Sequence, residues 1–294
     1  MSPPRERSSR PVKDPIFAEA LWVGQAPRGR PMYDGDGGGR FETMRRDVLD
    51  LRDFYATPLG QAARAIMRRK LVEAWGPANG LDILGLGYAA PYLGAFAKGA
   101  RRTVAAMPAA QGVEAWPAGA RNLAVLADEY ALPFGNALYD RVLVIHALEE
   151  ADDPVALLRE VWRVMAPSGR VIVAAANRLG FWSDAEATPF GHGRPYTRGQ
   201  LEVLVREADL EPLAWSRALF APPLQWTARW ADGLEQAGAL LWPGLSGLIL
   251  LEAVKTSFAV RPKGRRVRAR VFAPGALAPS PVRKASKTRT LPRA

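Results

Sequence analysis

The chain has 294 residues, 40 Lys and Arg against 29 Asp and Glu, a net charge of +11, two histidines and no cysteine. Without cysteine there is no disulfide scaffold, thiolate nucleophile, Cys-ligated zinc or iron–sulfur cluster, and two histidines exclude a His-rich metal centre. Residues 261–294 hold 11 cations and no anion, so residues 1–260 balance at 29 each and the whole excess sits at one end.

Residues 1–43 repeat Pro and Gly around one short apolar run at 16–23 and read as a mostly disordered extension. The ordered pattern opens at Met44, which is therefore an alternative to Met1 as the start of translation. Leu49, Phe54, Leu59, Ala63, Ile66, Met67 and Leu71 recur at three to five residues, which predicts an amphipathic helix broken by Pro58 and ended by Gly76 and Pro77.

Strand and helix signals then alternate. Apolar runs at Leu81 to Leu86, Thr103 to Met107 and Leu123 to Leu126 read as strands, with a short helix from Pro91 to Lys98. Val142 to Ile145 is a β-branched run suited to a strand buried on both faces. Asp153 is an N-cap with Pro154 at the first helical position, and apolar residues from 155 to 165 form one helical face. Pro167, Ser168 and Gly169 read as a turn before a strand from Val171 to Ala175. Thr197 and Gln200 make a capping box for a helix from Leu201 to Ala208. Leu213 to Phe220 and Gly247 to Val254 read as closing strands, joined by a helical Trp-rich segment expected in the core or an interface. Units of about 30 residues that alternate strand and helix mean a parallel α/β sheet. The domain spans 44–260, and 261–294 reads as a disordered basic tail.

The best apolar stretch, Ala237 to Leu251, has 15 residues and is interrupted by Pro243, Gly244 and Ser246. A membrane-spanning helix needs roughly 20. The first ten residues lack the apolar core of a signal peptide. A cytoplasmic location, without a membrane partner, is expected.

Ligands of open parallel sheets bind at the carboxyl ends of the strands. Gly85-Leu86-Gly87-Tyr88 follows the first strand, where glycines permit close backbone approach and the next helix N-terminus favours a polar group. Asp128 and Glu129 follow the third strand, where a carboxylate can accept a hydrogen bond from an adenine amino group. The order Gly85-x-Gly87, Asp128 with Leu132-Pro133-Phe134, Tyr139-Asp140-Arg141-Val142, Leu148 to Pro154 and Leu158 to Gly169 resembles class I S-adenosylmethionine-dependent methyltransferases, nearest the small-molecule type 11 branch. The resemblance covers roughly residues 47–255. It implies a Rossmann-like, seven-stranded, mostly parallel sheet, order 3-2-1-4-5-7-6, with an antiparallel last strand. It also implies S-adenosyl-L-methionine as cofactor, bound by Gly85, Gly87, Tyr88, Met107, Asp128, Glu129 and His146.

Two departures from the family stand out. The acid usual two positions before the first glycine is Ile83 here, and Asp82, one residue earlier, faces the other side of the strand. The acid usual at the end of the second strand, which holds the ribose, is replaced by Ala106-Met107-Pro108, with Gln111 and Glu114 as the nearby polar residues. Each missing charge-assisted hydrogen bond costs on the order of 1.5–3 kcal/mol. The same gap argues against NAD.

Methyl transfer mainly needs an acceptor held in line, with a base where the acceptor must lose a proton. His146, at the end of the fourth strand, is a candidate base. His192, Arg194 and Tyr196, in the long loop after the fifth strand, could contact an anionic acceptor or lock that loop to the sheet. No metal site is expected. Three functions compete: a methyltransferase for a small-molecule acceptor, a catalytically weak regulatory protein on the same fold, and a nucleic-acid methyltransferase. The third is disfavoured, because the body is neutral and the tail predicts only non-specific, salt-sensitive nucleic-acid contact.

Overall fold

The computed structural model describes residues 45–255 and the backbone of 270–271. The extension expected over 1–43 therefore lies outside the described residues. So does the basic tail, except for one two-residue strand described below.

Nine residues, Val48–Ala56, form α1, capped by Asp47, whose side chain accepts from the Leu49 amide. Thr57 ends α1 and caps α2, Pro58–Trp75, so Pro58 stands at the first turn of a second helix. A proline there loses no helical hydrogen bond, which is why the chain bends at this point and continues. The alternation then runs β1 (Asp82–Gly87), α3 (Ala90–Ala97), β2 (Arg102–Pro108), β3 (Ala124–Ala127), β4 (Tyr139–Ile145), α4 (Pro154–Val164) and β5 (Met165–Ala176). Next come α5 (Arg198–Glu207), β6 (Leu210–Ala218), α6 (Ala231–Leu241), β7 (Leu248–Lys255) and β8 (Arg270–Val271). Asp153 caps α4 through the Val155 and Ala156 amides, and the Thr197–Gln200 capping box opens α5.

The sheet order is β3-β2-β1-β4-β5-β7-β6-β8. β7 runs antiparallel to both β5 and β6, and the pairs among β1 to β5 are parallel. The first seven positions match the expected order. β8 adds an eighth strand, parallel to β6 through Ala214↔Arg270 and Trp215↔Val271.

Alternate residues of each strand feed two cores. Ile83, Leu143 and Ile145 face α1, α2 and α3, while Leu84, Val142 and Val144 face α4 and α5. Each fully buried Leu, Ile or Val contributes roughly 1.5–3 kcal/mol relative to exposure. Both cores are continuous along the sheet, so its central strands are covered on both sides.

Two local expectations are corrected. Pro167, Ser168 and Gly169 do not separate α4 from a strand beginning at Val171. They form a bulge inside β5, where pairing steps from Tyr139↔Met165 to Arg141↔Arg170. Ser168, at φ 61°, supplies the left-handed residue that lets the extra chain loop out. The Trp-rich segment is helical, as 3-10 turns around α6, but Trp226 and Trp230 are exposed rather than core. They pack edge to face on each other, 5.9 Å apart.

Gly87 is fixed by its place beside Ile145, where the ends of the paired strands β1 and β4 lie together. Its φ is +84°, and a Cβ there would stand 2.1 Å from the Ile145 carbonyl oxygen. Gly80, at φ +71°, has open space around it. Gly80→Ala should therefore cost only the backbone strain, about 1–2 kcal/mol. Gly87→Ala adds a backbone clash and should cost about 3 kcal/mol or more. Urea denaturation of the two variants checks this; equal losses would place the constraint in φ alone.

Candidate active site

The carboxyl ends of β1, β2, β3 and β4 meet under α1. The turn after β1 is packed against protein on both sides. A Cβ on Gly85 would stand 2.5 Å from the Ala89 methyl, and the Tyr88 amide donates to the Ile145 carbonyl at 3.0 Å. The two glycines thus let α3 close on β1 and let β1 approach the end of β4.

His146 follows β4 with φ 52°. Strand alternation would send its ring to the α4 side, because Ile145 faces α1. The left-handed backbone turns it back. The ring lies 4.8 Å from Phe190, and its Nε2 shares a 2.8 Å hydrogen bond with the Tyr55 hydroxyl. Tyr55 also bonds the Tyr92 hydroxyl at 2.7 Å and stacks on Tyr88 at 5.8 Å. Burial, with the Arg46 charge second, lowers the His146 pKa to about 3. The imidazole is neutral throughout the physiological range. Burial likewise raises the Tyr55, Tyr88 and Tyr92 hydroxyls well above their ordinary values.

The chain leading into α1 is tied down at three points. Arg45 grips the Glu129 carboxylate with both terminal nitrogens and donates to the Ala147 carbonyl at 3.0 Å. The Arg46 amide donates to Glu150 at 3.0 Å, and its guanidinium meets His192. The Val48 amide donates to the Gln111 carbonyl at 2.8 Å. Arg45 and Glu129 are both buried. Removing either alone would strand a buried charge, which is strongly destabilising.

The structure brings Gly85, Gly87, Tyr88 and His146 together. Glu129 is committed to Arg45. Asp128 is exposed at the end of β3 and accepts from the Tyr130 amide at 2.8 Å. Met107 is fully buried in the core beneath α1 to α3. His192 lies at the rim, bonded to the Glu186 carbonyl at 2.7 Å. Tyr196 is buried, and its hydroxyl donates to the Leu148 carbonyl at 3.2 Å. The Arg194 side chain is exposed, and its amide donates to the Glu149 carbonyl at 2.7 Å. Tyr196 and the Arg194 backbone therefore pin the long loop across the ends of β4 and β5. Asp82 lies at the opposite end of β1, held by Arg101.

Three polar groups carry more of the site than their sequence signals suggest. Gln111 is 1% exposed, and neither atom of its side-chain amide has a partner among the described residues. Glu114 accepts from the Tyr88 hydroxyl at 2.7 Å, which brings a carboxylate from the loop after β2 to the glycine turn. Glu149 is buried at the end of β4. Its Oε1 accepts from the Ala176 amide at 3.0 Å, and its Oε2 has no partner among the described residues. Burial pushes Glu149 up to about 7, against the opposing pull of backbone amides and Arg45. Among the described residues no cluster of His, Asp or Glu is arranged to hold a metal ion. No described helix is long and apolar enough to cross a membrane.

Known proteins share this fold. Residues 81–173 match the family model of a methyltransferase domain, about a third of the chain. The chain has the class I methyltransferase fold. A S-adenosylmethionine-dependent methyltransferase of Thermotoga maritima superposes with a TM-score of 0.51 at 17% identity, covering 71% of this chain and 96% of its own. A methyltransferase of Haloferax volcanii, solved in complex with a methyltransferase activator, gives 0.54 at 17% identity, covering 72% and 99%. At such identity the likeness is one of fold. An uncharacterized protein of Mycobacterium tuberculosis is 29% identical over 100 residues, 32% of this chain. The match spans 35% of that relative's length.

The two buried titratable groups oppose each other in pH. His146, lowered from 6.5 to about 3, gives stability that is present above 6.5 and lost as pH falls toward 3. Glu149, raised from 4.5 to about 7, gives stability that is present below 4.5 and lost as pH rises through 7. Glu149→Gln should therefore stabilise relative to wild type as pH rises from 4.5 to 8, by up to about 3 kcal/mol. His146→Asn should lose the acid-side dependence between pH 6.5 and 4. Urea midpoints across pH decide; curves parallel to wild type would mean that neither group is buried as described.

Proposed function

We propose that the protein is a S-adenosylmethionine-dependent methyltransferase acting on a small-molecule acceptor. The observation that carries this reading is the unpartnered, buried amide of Gln111, in the same loop after β2 whose Glu114 meets Tyr88. A buried amide with four unused hydrogen-bonding positions fits a hydroxylated ligand better than an apolar core. The methyltransferase domain supports the same assignment.

In this reading Gln111 and Glu114 hold the ribose hydroxyls in place of the acid that Met107 replaces. Gly85, Gly87 and Tyr88 shape the floor, and Asp128 faces the adenine. When bound, the cofactor supplies an activated methyl group on sulfur. The protein's part is to hold the acceptor in line and exclude water. Glu149 receives the acceptor proton on Oε2, because a base works best when its pKa lies near the operating pH. At about 3, His146 is too weak a base for that role, and its Nε2 is taken by Tyr55. His146 instead orients the Tyr55–Tyr92 pair that walls the site.

A second reading is a regulatory protein that binds the cofactor without turnover. Fully buried Ile83 and Met107, in place of two acids, favour it.

Calorimetry on the full chain should show S-adenosylmethionine binding in the micromolar to sub-millimolar range. Gln111→Leu should weaken it about tenfold and Glu114→Gln by about ten- to a hundredfold. No binding at millimolar cofactor defeats the assignment. Release of labelled methyl to any acceptor in a metabolite extract separates the enzyme from the regulator.

A further inference from the structure

The site is covered by a short helix that is held at both ends. α1 buries Val48, Leu51, Phe54 and Tyr55, and Tyr55 stacks on Tyr88 of the glycine turn. Gln111, Tyr88 and Glu149, the groups that the methyltransferase reading assigns to ligands, are each at most 7% exposed. A ligand that reaches them must first displace protein. A nine-residue helix is too short to be stable in water by itself, where about 12–15 residues are needed. The place of α1 therefore rests on its packing and on what grips its two ends.

At the leading end the grip is Arg45. Its guanidinium bonds Glu129 with both terminal nitrogens, lies 3.6 Å from Glu150 through Nε, and donates to the Ala147 carbonyl at 3.0 Å. Glu129 follows Asp128 in the loop after β3, and Glu150 follows Glu149 in the loop after β4. One side chain thus joins α1 to the loop on the adenine side and to the loop on the acceptor side. The Val48 amide adds its bond to the Gln111 carbonyl, in the loop after β2. The trailing end is a bend. Thr57 is extended, with ψ 157°, between two helices, and Pro58 has no amide to carry α1 on into α2. A Cβ on Gly60 would stand 2.0 Å from the Phe54 carbonyl oxygen, so this end of α1 is pressed onto α2 and serves as a fixed pivot.

We propose that α1 is a hinged cover for the site, latched by Arg45 onto Glu129 and Glu150 and turning about Thr57, so that ligands exchange only when the latch releases. Arg45 and Glu129 are buried together, and opening returns both to water at once, so neither is left stranded in the interior. The latch needs both loops in place, and a ligand that orders either loop therefore favours the closed form. The proposal rests on the methyltransferase reading only for which ligands lie beneath α1; the opening itself is a property of the free chain.

Hydrogen exchange of the full chain, without ligand, tests the opening. The α1 amides should exchange at least about tenfold faster than those of β1 and β4, because they open without global unfolding. Arg45→Met with Glu129→Gln removes both partners of the latch and should speed α1 exchange by a further factor of about ten, with β1 and β4 unchanged. The absence of native cysteine allows a lock. The Val48 Cβ stands 3.9 Å from where a Gly112 Cβ would be, within the disulfide range of about 3.5–4.5 Å. In the oxidised double variant Val48→Cys with Gly112→Cys, stopped-flow association of S-adenosylmethionine should fall at least about a hundredfold and recover on reduction. Comparing two redox states of one variant cancels the strain at Gly112, where φ is +87°. Equal association by the reduced and the bridged form, or α1 amides that exchange no faster than those of β1 and β4, overturns the proposal. Absence of cofactor binding in both states defeats the methyltransferase assignment alone, and the exchange rates then decide whether α1 opens.

Discussion

The site depends on the contact between Gly87 and the end of β4. At that point β1 passes so close to Ile145 that only a hydrogen fits on the Gly87 α-carbon, and the Tyr88 amide is bonded to the Ile145 carbonyl. The contact fixes the height of α3 and the place where β4 must stop. It also fixes His146, whose left-handed backbone carries its ring back toward α1. Such a conformation in a non-glycine residue costs of order 1–3 kcal/mol and persists only where its surroundings demand it. Here the demand is met by Tyr55 and Phe190, which hold the ring on the α1 side.

From that contact the remaining polar groups follow by burial. The region under α1 is walled by Tyr55, Tyr88, Tyr92, His146 and Phe190, and it accepts charge only where a partner comes with it. Glu129 is paired with Arg45. Glu149 is bonded by backbone amides and has no cation within bonding distance among the described residues, so burial raises its pKa into the neutral range. The same medium that neutralises His146 therefore leaves Glu149 poised between its two forms. Two carboxylates four and five residues past the end of β4, Glu149 and Glu150, are separated by this difference: Glu150 bonds the Arg46 amide at the edge, and Glu149 turns inward.

Much of the fold could be read along the chain, because the signals were local. Asp153 before Pro154 and Thr197 before Gln200 specify helix starts by the hydrogen bonds that those side chains make. The β-branched run before His146 specifies a strand covered on both faces. The bulge in β5 was not readable, since Pro-Ser-Gly has turn chemistry whether it ends a strand or loops out of one. The site was legible only as glycines and chain order. Nothing local distinguishes Glu149 from Glu150, or tells that Tyr55 rather than another α1 residue would reach His146. Those outcomes depend on how α1 docks, and the docking rests on Arg45 and Arg46, contacts more than 80 residues apart in sequence.

The net charge can now be divided by role. Within the domain, cations work in pairs: Arg45 with Glu129, Arg101 with Asp82 and Arg163 with Glu160. Such pairs position backbone and leave little field at a distance, because each is matched within a few ångströms and screened beyond about 8 Å at physiological salt. The cations after residue 260 have no acid in their own segment to pair with. A segment whose charges all have one sign sets up a field that a balanced domain does not, and that field acts toward anionic surfaces.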